Sequence, residues 1–278
     1  MTQQDVIHSL WIGTQLSHLE LLTLRSFVAH GHDFQLWVYD ELETEVPEGV
    51  TLQDANEILD RKHIFRYREG DIGKGSVAGF SDIFRYKLLY EKGGWWVDMD
   101  VTCLRPFEFD TPYVFRQHDF LPVVGNIMKA SKGSPAMKAA FEEALASVDE
   151  FNTDWLKPIG ILNRQIAQHK LTKYIRADLC NPDRWELVTL YRESNLEPND
   201  DWYAIHWINV EWNRRHFARD MAVADSLYYR LLQQYELPVS AIFPLSRWQH
   251  FYLKYRAKLI ISLPNSWRVK LKELWTKN

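Results

Sequence analysis

Residues 80–106, FSDIFRYKLLYEKGGWWVDMDVTCLRP, carry the clearest structural signal in this chain of 278 residues. Their pattern predicts a helix, a stop at two glycines, and a short apolar strand at 95–97 that ends at Asp98 and Asp100. Side chains at positions i and i+2 of an extended chain point the same way, about 6–7 Å apart. Buried carboxylates are unfavourable unless they are paired or bind a cation, and their oxygen atoms suit Mg²⁺ or Mn²⁺. The stretch therefore predicts a divalent-cation site at the end of a buried strand.

The residues before this stretch alternate between strand and helix patterns. Strands are predicted at 6–11 and 34–39, and helices at 18–30 and 52–60. This alternation predicts an α/β fold with a mostly parallel, Rossmann-like sheet flanked by helices. Ligands of such sheets bind at the carboxyl ends of the strands, so Trp11 is expected on the same side of the sheet as the two acids.

After this stretch, strands are predicted at 113–116 and 123–129, and helices follow at 134–147 and 158–169. Ser134 is the expected N-cap of the helix at 134–147, because a proline follows it at the first helical position. No repeat or linker interrupts the pattern. We therefore expect one domain, 1–246, followed by a basic helical extension, 247–278.

The extension differs in charge from the rest of the chain. Residues 247–278 contain eight Lys or Arg and one acid, and since the whole chain has a net charge of −4, the body carries −11. An acidic body repels phosphate backbones, so no nucleic acid partner is expected. In the extension, apolar side chains recur at intervals of four among basic ones, which predicts amphipathic helices. These would either lie on a membrane surface or pack against the acidic body, and both interpretations stay open.

The cellular location is an expectation drawn from two patterns. The first residues, MTQQDVIHSLWIG, have neither the basic region nor the apolar run of a signal peptide or membrane anchor. Cys103 and Cys180 do not indicate a disulfide framework. We expect a cytoplasmic protein, bound peripherally to the inner face of the plasma membrane if the extension contacts lipid.

The block at residues 80–106 resembles a known family. It is similar to the signature of the DXD-containing sugar transferases of glycosyltransferase family 32 in five ordered elements: Ser81-Asp82, Arg85, Leu88-Leu89-Tyr90, Gly93-Gly94 and Asp98-Met99-Asp100. The large clostridial glucosylating toxins are more distantly similar. The resemblance implies a GT-A fold and a retaining, metal-dependent glycosyltransferase that uses a nucleotide sugar as donor.

The resemblance also implies roles for four residues of the block. Asp98 and Asp100 would hold Mn²⁺ or Mg²⁺ against the donor diphosphate, whose developing negative charge must be neutralised. Asp82 and Arg85, three residues apart on a helix, would contact the donor sugar, the ribose and the phosphates. We therefore predict Asp82, Arg85 and Asp100 as catalytic residues, and Asp82, Arg85 and Asp98 as donor-binding residues. The alternative for Asp82 and Arg85 is a surface ion pair of little energetic weight.

Two other segments resemble elements of the same family. The segment IHSLWIG, residues 7–13, predicts that Trp11, Ile12 and Gly13 bind the nucleotide, with the indole stacked on the base.

The segment YAIHWINVEW, residues 203–212, predicts His206 as the third metal ligand and Trp212 as a contact to the donor. The alternative for His206 is packing in the core or against the ligands. The segment departs from the family at Glu211, where the family usually has Ser.

These predictions describe a hexosyltransferase that moves a sugar to a saccharide or lipid-linked glycan acceptor, and the resemblance implies a role in surface polysaccharide synthesis. The donor is expected to be a UDP-sugar rather than a GDP-sugar. One rival is a haloacid-dehalogenase phosphohydrolase, because WWVDMDVT, residues 95–102, fits its motif with Asp98 as nucleophile, Asp100 as acid/base and Thr102 on phosphate. A second rival is a non-catalytic carbohydrate-binding protein, which would explain twelve tryptophans but not the paired acids.

Overall fold

The computed structural model describes residues 5–69 and 73–242 and, in the basic extension, Trp248, Phe251, Tyr252 and Tyr255. These four aromatic residues are helical and exposed. The rest of the predicted amphipathic helices, and the predicted boundary at 246, lie outside the described residues. In the part of the chain that the structure describes, no helix is long and apolar enough to cross a bilayer.

The described residues form eleven strands and seven α-helices, in the order β1 (Ile7–Trp11), α1 (His18–Ala29), β2 (Phe34–Val38), β3 (Val50–Asp54), α2 (Ala78–Glu91), β4 (Gly94–Val97), β5 (Val101–Cys103), β6 (Tyr113–Arg116), β7 (Val124–Ala130), α3 (Pro135–Ser147), α4 (Lys157–Gln168), β8 (Ile175–Arg176), α5 (Trp185–Glu193), β9 (Ala204–His206), α6 (Asn209–Arg214), β10 (Met221–Val223), α7 (Leu227–Gln234) and β11 (Ser240–Ile242). The main sheet has the order β3-β2-β1-β4-β7-β6-β8. Two small sheets, β5 with β9 and β10 with β11, complete the described strands.

Strand direction in the main sheet is nearly uniform. Strands β3, β2, β1 and β4 pair in parallel, and β6 pairs in parallel with β8. Strand β7 is antiparallel to both of its neighbours, β4 and β6, so it alone runs the other way among these seven strands. The mostly parallel sheet with helices on both faces confirms the predicted α/β, GT-A-like fold.

Strand β4 lies in the middle of this sheet and is buried on both faces. Trp95 packs in the apolar cluster on the α1 side and Trp96 in the cluster on the side of α2, α3 and α4, and each is 1% exposed. Burying one large apolar side chain contributes about 2 kcal/mol, so this strand is a strong anchor. Gly93 and Gly94 have φ values of +75° and +84°, and a Cβ at either would lie within 2.7 Å of backbone atoms. The predicted glycine stop is therefore a turn that other residues do not fit.

Helix α2 presents its apolar side to the sheet. Phe80, Phe84 and Leu88 recur at intervals of four and are fully buried in the cluster on that side of β4. This packing directs Asp82 and Arg85 toward the carboxyl end of β4, where they form the contacts described below.

The prediction of a helix at 52–60 is wrong. Residues 50–54 form β3, which pairs with β2 at the edge of the sheet, and short 3₁₀ turns follow at Ala55–Glu57 and Arg61–His63. Leu52 is 44% exposed, so the apolar spacing that resembled a helical face does not mark a buried one. The side chain of Asp54 accepts a hydrogen bond from the backbone N–H of Asn56 and begins the first turn.

Candidate functional site

Asp98 and Asp100 follow β4 directly, and the backbone at both positions is held by hydrogen bonds. The N–H of Asp98 donates to the carbonyl oxygen of Asn126 on β7 at 2.9 Å, and the carbonyl of Asp100 accepts from the N–H of Trp207 at 2.9 Å. The side chain of Asp98 is 29% exposed and that of Asp100 is 10% exposed. The two acids therefore occupy a fixed position at the carboxyl end of the parallel strands, with Asp98 the more accessible.

Arg85 connects the α2 acid to the first acid of the pair. Its guanidinium lies 3.5 Å from Oδ1 of Asp82 and 3.2 Å from Oδ1 of Asp98, and it stacks 5.0 Å from the ring centre of Trp96. The indole N–H of Trp96 donates to the same Oδ1 of Asp98 at 2.7 Å. Since the Arg85 side chain is only 7% exposed, the alternative of a surface ion pair does not hold.

Burial shapes the charge state of these acids. Burial raises the pKa of Asp82 to about 6, against the attraction of Arg85, and the nearby Asp98 raises it further. Burial also raises the pKa of Asp98, again opposed by Arg85. A single guanidinium thus does not fully compensate the two carboxylates that flank it.

His206 is brought to the pair by a strand contact. Strand β9 pairs antiparallel with β5, which begins directly after Asp100, and Val101 lies opposite His206. Nε2 of the imidazole lies 3.3 Å from Oδ2 of Asp100, and Nδ1 lies 2.6 Å from Oδ1 of Asp183. Burial alone would lower the pKa of His206, but the two carboxylates outweigh it and raise the pKa well above its usual value. The same oxygen of Asp100, Oδ2, also accepts a hydrogen bond from the backbone N–H of Asn209 at 2.7 Å.

Asp183 and Arg116 belong to this site and were missed in the sequence. The two Nη atoms of Arg116 donate to the two carboxylate oxygens of Asp183 at 2.9 and 2.7 Å, and Nη1 also donates to Asn126 at 3.0 Å. Arg116 is the last residue of β6, an apolar strand that ends in a charge, so the reasoning applied to Asp98 would have selected it. Asp183 lies in a loop between β8 and α5, where no comparable signal exists.

The site carries more negative than positive charge. Four carboxylates face two guanidinium groups. The carboxylates belong to Asp82, Asp98, Asp100 and Asp183, and the guanidinium groups to Arg85 and Arg116. A protonated His206 would still leave one negative charge without a partner among these groups. Such an excess favours the binding of a cation at the accessible acids.

The carboxylate oxygens of Asp98 and Asp100 fit a cation whose other ligands come from a bound diphosphate and water. In residues 5–69 and 73–242, no three His, Cys, Asp or Glu side chains converge as the ligands of a metal ion. The hydrogen bonds of the described residues engage Oδ1 of Asp98 and Oδ2 of Asp100, which leaves the other oxygen of each as a candidate ligand. Mg²⁺ commonly takes one or two carboxylates and completes its shell with water and phosphate oxygens. The role of His206 as third ligand stays a prediction.

Trp11, Ile12 and Gly13 lie at the end of β1, which is parallel to β4, and so on the same side of the sheet as the acids. Trp11 is partly exposed, and its indole donates to the carbonyl of Gln15 at 3.1 Å. Gly13 has a φ of +137°, a conformation that favours glycine. Their contact with a nucleotide stays a prediction.

Trp212 requires a correction. It is fully buried in an apolar cluster to which α1, α5, α6 and α7 contribute. Its indole N–H already donates to the carbonyl of Trp207 at 2.8 Å. Its ring packs against Tyr228 at 5.0 Å and Phe217 at 6.2 Å. In this structure, Trp212 is therefore a core residue and not a donor contact, because neither its ring face nor its N–H is available.

The phosphohydrolase interpretation conflicts with the environment of Thr102. This residue is fully buried, and its hydroxyl accepts a hydrogen bond from the indole of Trp207 at 2.8 Å, so it does not face a phosphate.

Five of the twelve tryptophans give no support to a non-catalytic carbohydrate-binding protein. These five are at most 1% exposed and pack in the apolar clusters: Trp37, Trp95, Trp96, Trp207 and Trp212. Their rings are therefore structural and offer no stacking surface for a sugar.

Comparison with known proteins gives one match that covers the site. Residues 22–120 match the family model described as a glycosyltransferase sugar-binding region containing a DXD motif. This region includes α2, β4 and both acids of the pair. No curated protein sequence matches the chain.

Two solved structures are similar at low sequence identity. PaToxG glycosyltransferase is 13% identical with a TM-score of 0.44, over 60% of this chain and 70% of that one. A transferase with two cysteines replaced by serine is 11% identical with a TM-score of 0.41, over 62% of this chain and 86% of that one. The family match, with the DXD pair at the end of β4, carries the assignment. Residues 22–120 thus carry a glycosyltransferase sugar-binding region with a DXD motif, and this match supports a glycosyltransferase.

Proposed function

We propose that this glycosyltransferase moves a sugar from a nucleotide diphosphate donor, a UDP-sugar in preference to a GDP-sugar, with a divalent cation bound at Asp98 and Asp100. The observation that carries the proposal is the junction of α2 and β4, where Arg85 joins Asp82 to Asp98 in a cluster with excess negative charge. A divalent cation complements the charge of such a cluster and can in turn bind a diphosphate, whereas a neutral sugar alone does not complement it.

The residues of the chain divide the work of binding. Asp98 and Asp100 would hold Mn²⁺ or Mg²⁺, which when bound stabilises the negative charge of the leaving diphosphate. The donors of Arg85 are engaged by Asp82, Asp98 and the backbone and hydroxyl of Ser81, so Arg85 orients the two carboxylates. Asp82, held in this way beside the cluster, is the proposed acceptor of hydrogen bonds from donor hydroxyl groups.

Retention of the anomeric configuration is part of the proposal, and the resemblance to family 32 supports it. The proposed route is departure and attack on one face of the sugar, with the leaving diphosphate assisting deprotonation of the acceptor. No carboxylate of the described site is assigned as a covalent nucleophile.

The test is donor hydrolysis by the full chain without acceptor, screened with UDP- and GDP-sugars in the presence of Mn²⁺ or of a chelator. We expect hydrolysis of a UDP-sugar that chelation abolishes. The Asp98→Asn, Asp100→Asn double variant should lose at least about 100-fold in rate, in the range seen when one transition-state charge contact is removed. The matched control is Asp110→Asn, which makes the same change at an exposed acid in the loop between β5 and β6. Full transfer by the double variant with metal chelated would refute the metal assignment.

The acceptor is proposed to be a saccharide or a lipid-linked glycan of surface polysaccharide synthesis, with the enzyme on the inner face of the plasma membrane. Exposed aromatic side chains at 248, 251, 252 and 255, in a segment rich in Lys and Arg, support a membrane contact. Flotation with anionic liposomes should recover the intact chain and not a 1–246 truncation. Equal recovery of the two would rule out the tail as the membrane contact.

A further inference from the structure

The loop that carries Asp183 is attached to the strand that carries His206. The side-chain oxygen of Asn181 accepts from the N–H of His206 at 2.7 Å, and its amide donates to the carbonyl of His206 at 3.1 Å. Cys180 forms a parallel bridge with Ala204, the first residue of β9. Asp183 and the imidazole therefore lie in one hydrogen-bonded unit, although 23 residues separate them.

Asp183 is held in place from the opposite side by Arg116. The guanidinium contacts both carboxylate oxygens, and its Nη2 also donates to the carbonyl of Asn181 at 2.6 Å. His118 lies 3.4 Å from the second oxygen of Asp183. Because a two-point contact between Arg and a carboxylate fixes both distance and plane, Asp183 cannot turn away from His206 without losing these bonds.

The orientation of the imidazole follows from this arrangement. Nδ1 of His206 donates to Asp183 at 2.6 Å, so the opposite nitrogen, Nε2, faces Asp100 at 3.3 Å. Histidines that bind metals usually donate one ring N–H to a carboxylate, which fixes the direction of the second ring nitrogen. A purely structural ion pair would not need to end on a ring nitrogen of the site, and buried ion pairs are in any case weak sources of stability.

We infer that Asp183 is a positioning residue that, fixed by Arg116, aims Nε2 of His206 at the cation and diphosphate held beside Asp100. This inference rests on the proposed function. Asp183 acts only through His206, so its contribution to cation binding disappears when the imidazole is absent.

The experiment measures the affinity of the full chain for Mn²⁺ in the presence of UDP, by electron paramagnetic resonance of free Mn²⁺. Asp183→Asn keeps the shape of the side chain and removes its charge, and we expect a 10- to 100-fold weaker affinity. In the His206→Gln background, the same substitution should change the affinity less than about twofold. The matched control is Asp119→Asn, which removes an ion pair with Arg184 of 2.6 Å close to the site and should leave the affinity unchanged.

A second variant covers failure of Asp183→Asn to fold, because it leaves the charge of Arg116 buried. Arg116→Lys keeps the charge and loses the two-point contact, and it should weaken Mn²⁺ binding about 3- to 10-fold only when His206 is present. Wild-type affinity in Asp183→Asn, or an equal loss in the His206→Gln background, would overturn the inference. Absence of Mn²⁺ binding by the wild-type chain with UDP would instead refute the proposed function, so the two failures are distinguishable.

Discussion

Asp82 is a buried carboxyl group whose pKa, raised to about 6, lies above the value of an unfolded chain. The native state therefore binds this proton more tightly than the unfolded state does. Consequently, the carboxyl group does little harm to the fold below pH 4, and its ionised form destabilises the fold as the pH rises through 6. A residue placed in this way is typical of a site that trades stability for function.

We predict that Asp82→Asn raises the free energy of unfolding by about 2 kcal/mol at pH 8, and by much less at pH 4. Transfer should fall about 100-fold, because the neutral amide is a weaker acceptor for donor hydroxyl groups. Urea unfolding at the two pH values measures the first effect and initial rates the second, with Asp110→Asn as the exposed control. A destabilised variant at pH 8 would show that the ion pair with Arg85 outweighs the burial of the charge.

Gly125 determines the space available to Arg85. A Cβ at this position of β7 would lie 2.9 Å from Nη1 of Arg85 and 3.7 Å from Leu162. Because Asp82 and Asp98 both contact the guanidinium of Arg85, this group has little freedom to move away.

We predict that Gly125→Ala lowers kcat/KM about 10-fold or more by displacing Arg85, since displacements of about 1 Å can affect rates strongly. Gly160→Ala on α4 is the control, because a Cβ there meets nothing within 4 Å, and it should leave activity unchanged. Steady-state kinetics with thermal unfolding of both variants separates the two effects. Unchanged kinetics in Gly125→Ala would mean that Arg85 is free to shift.

At the scale of elements, the pairing of β5 with β9 links the DXD acids to residues more than 100 positions later. The pairing is reinforced by the indole of Trp207, which donates to the hydroxyl of Thr102 at 2.8 Å in a fully buried environment. A buried donor without a partner is unfavourable by about 1–3 kcal/mol.

Thr102→Val should therefore lower the free energy of unfolding by about 2 kcal/mol, because the indole N–H loses its acceptor. At temperatures where the variant stays folded, its transfer rate should remain within about threefold of wild type. Urea unfolding and initial rates measure the two, and Thr51→Val on the exposed edge strand β3 is the control. A loss of activity in the fully folded variant would revive a chemical role for this hydroxyl.

Prediction from the sequence succeeded where an element carries its own signal. Strands β1, β4 and β6 are short apolar runs with a charged, aromatic or glycine boundary, and Ser134 caps α3 as expected, accepting from the N–H of Met137.

Strand β3 was missed because an edge strand buries little and its apolar spacing is ambiguous. The contact of Asp183 with His206, and the burial of Trp212, depend on packing between distant segments, which local patterns do not encode.

At the scale of the whole molecule, stability should depend on pH through His8. This histidine is buried, and its Nδ1 accepts the indole N–H of Trp37 at 3.2 Å, so the ring must be neutral. Burial lowers its pKa to about 4, aided by Lys92 and opposed by a backbone hydrogen bond to Gly93. Since the unfolded state binds this proton more tightly, the stabilisation is present above pH 6.5 and is lost as the pH falls to 4.

We predict that the fold loses about 2 kcal/mol of its free energy of unfolding between pH 7 and pH 4.5 through this one group. His8→Gln keeps an acceptor for Trp37 and should remove that part of the pH dependence. His169→Gln, at an exposed position, should retain it. Urea unfolding of the two variants at both pH values is the measurement, and equal slopes against pH would exclude His8 as the acid-sensitive group.

The backbone contact between Asp100 and Trp207 has a consequence for the design of chimeric enzymes. The family match ends at residue 120, but the carbonyl and carboxylate of Asp100 are both bonded to backbone N–H groups beyond residue 206. Grafting residues 22–120 alone onto another scaffold would transplant the DXD acids without the partners that hold the second one. A recombination boundary that preserves the site must therefore fall after α6.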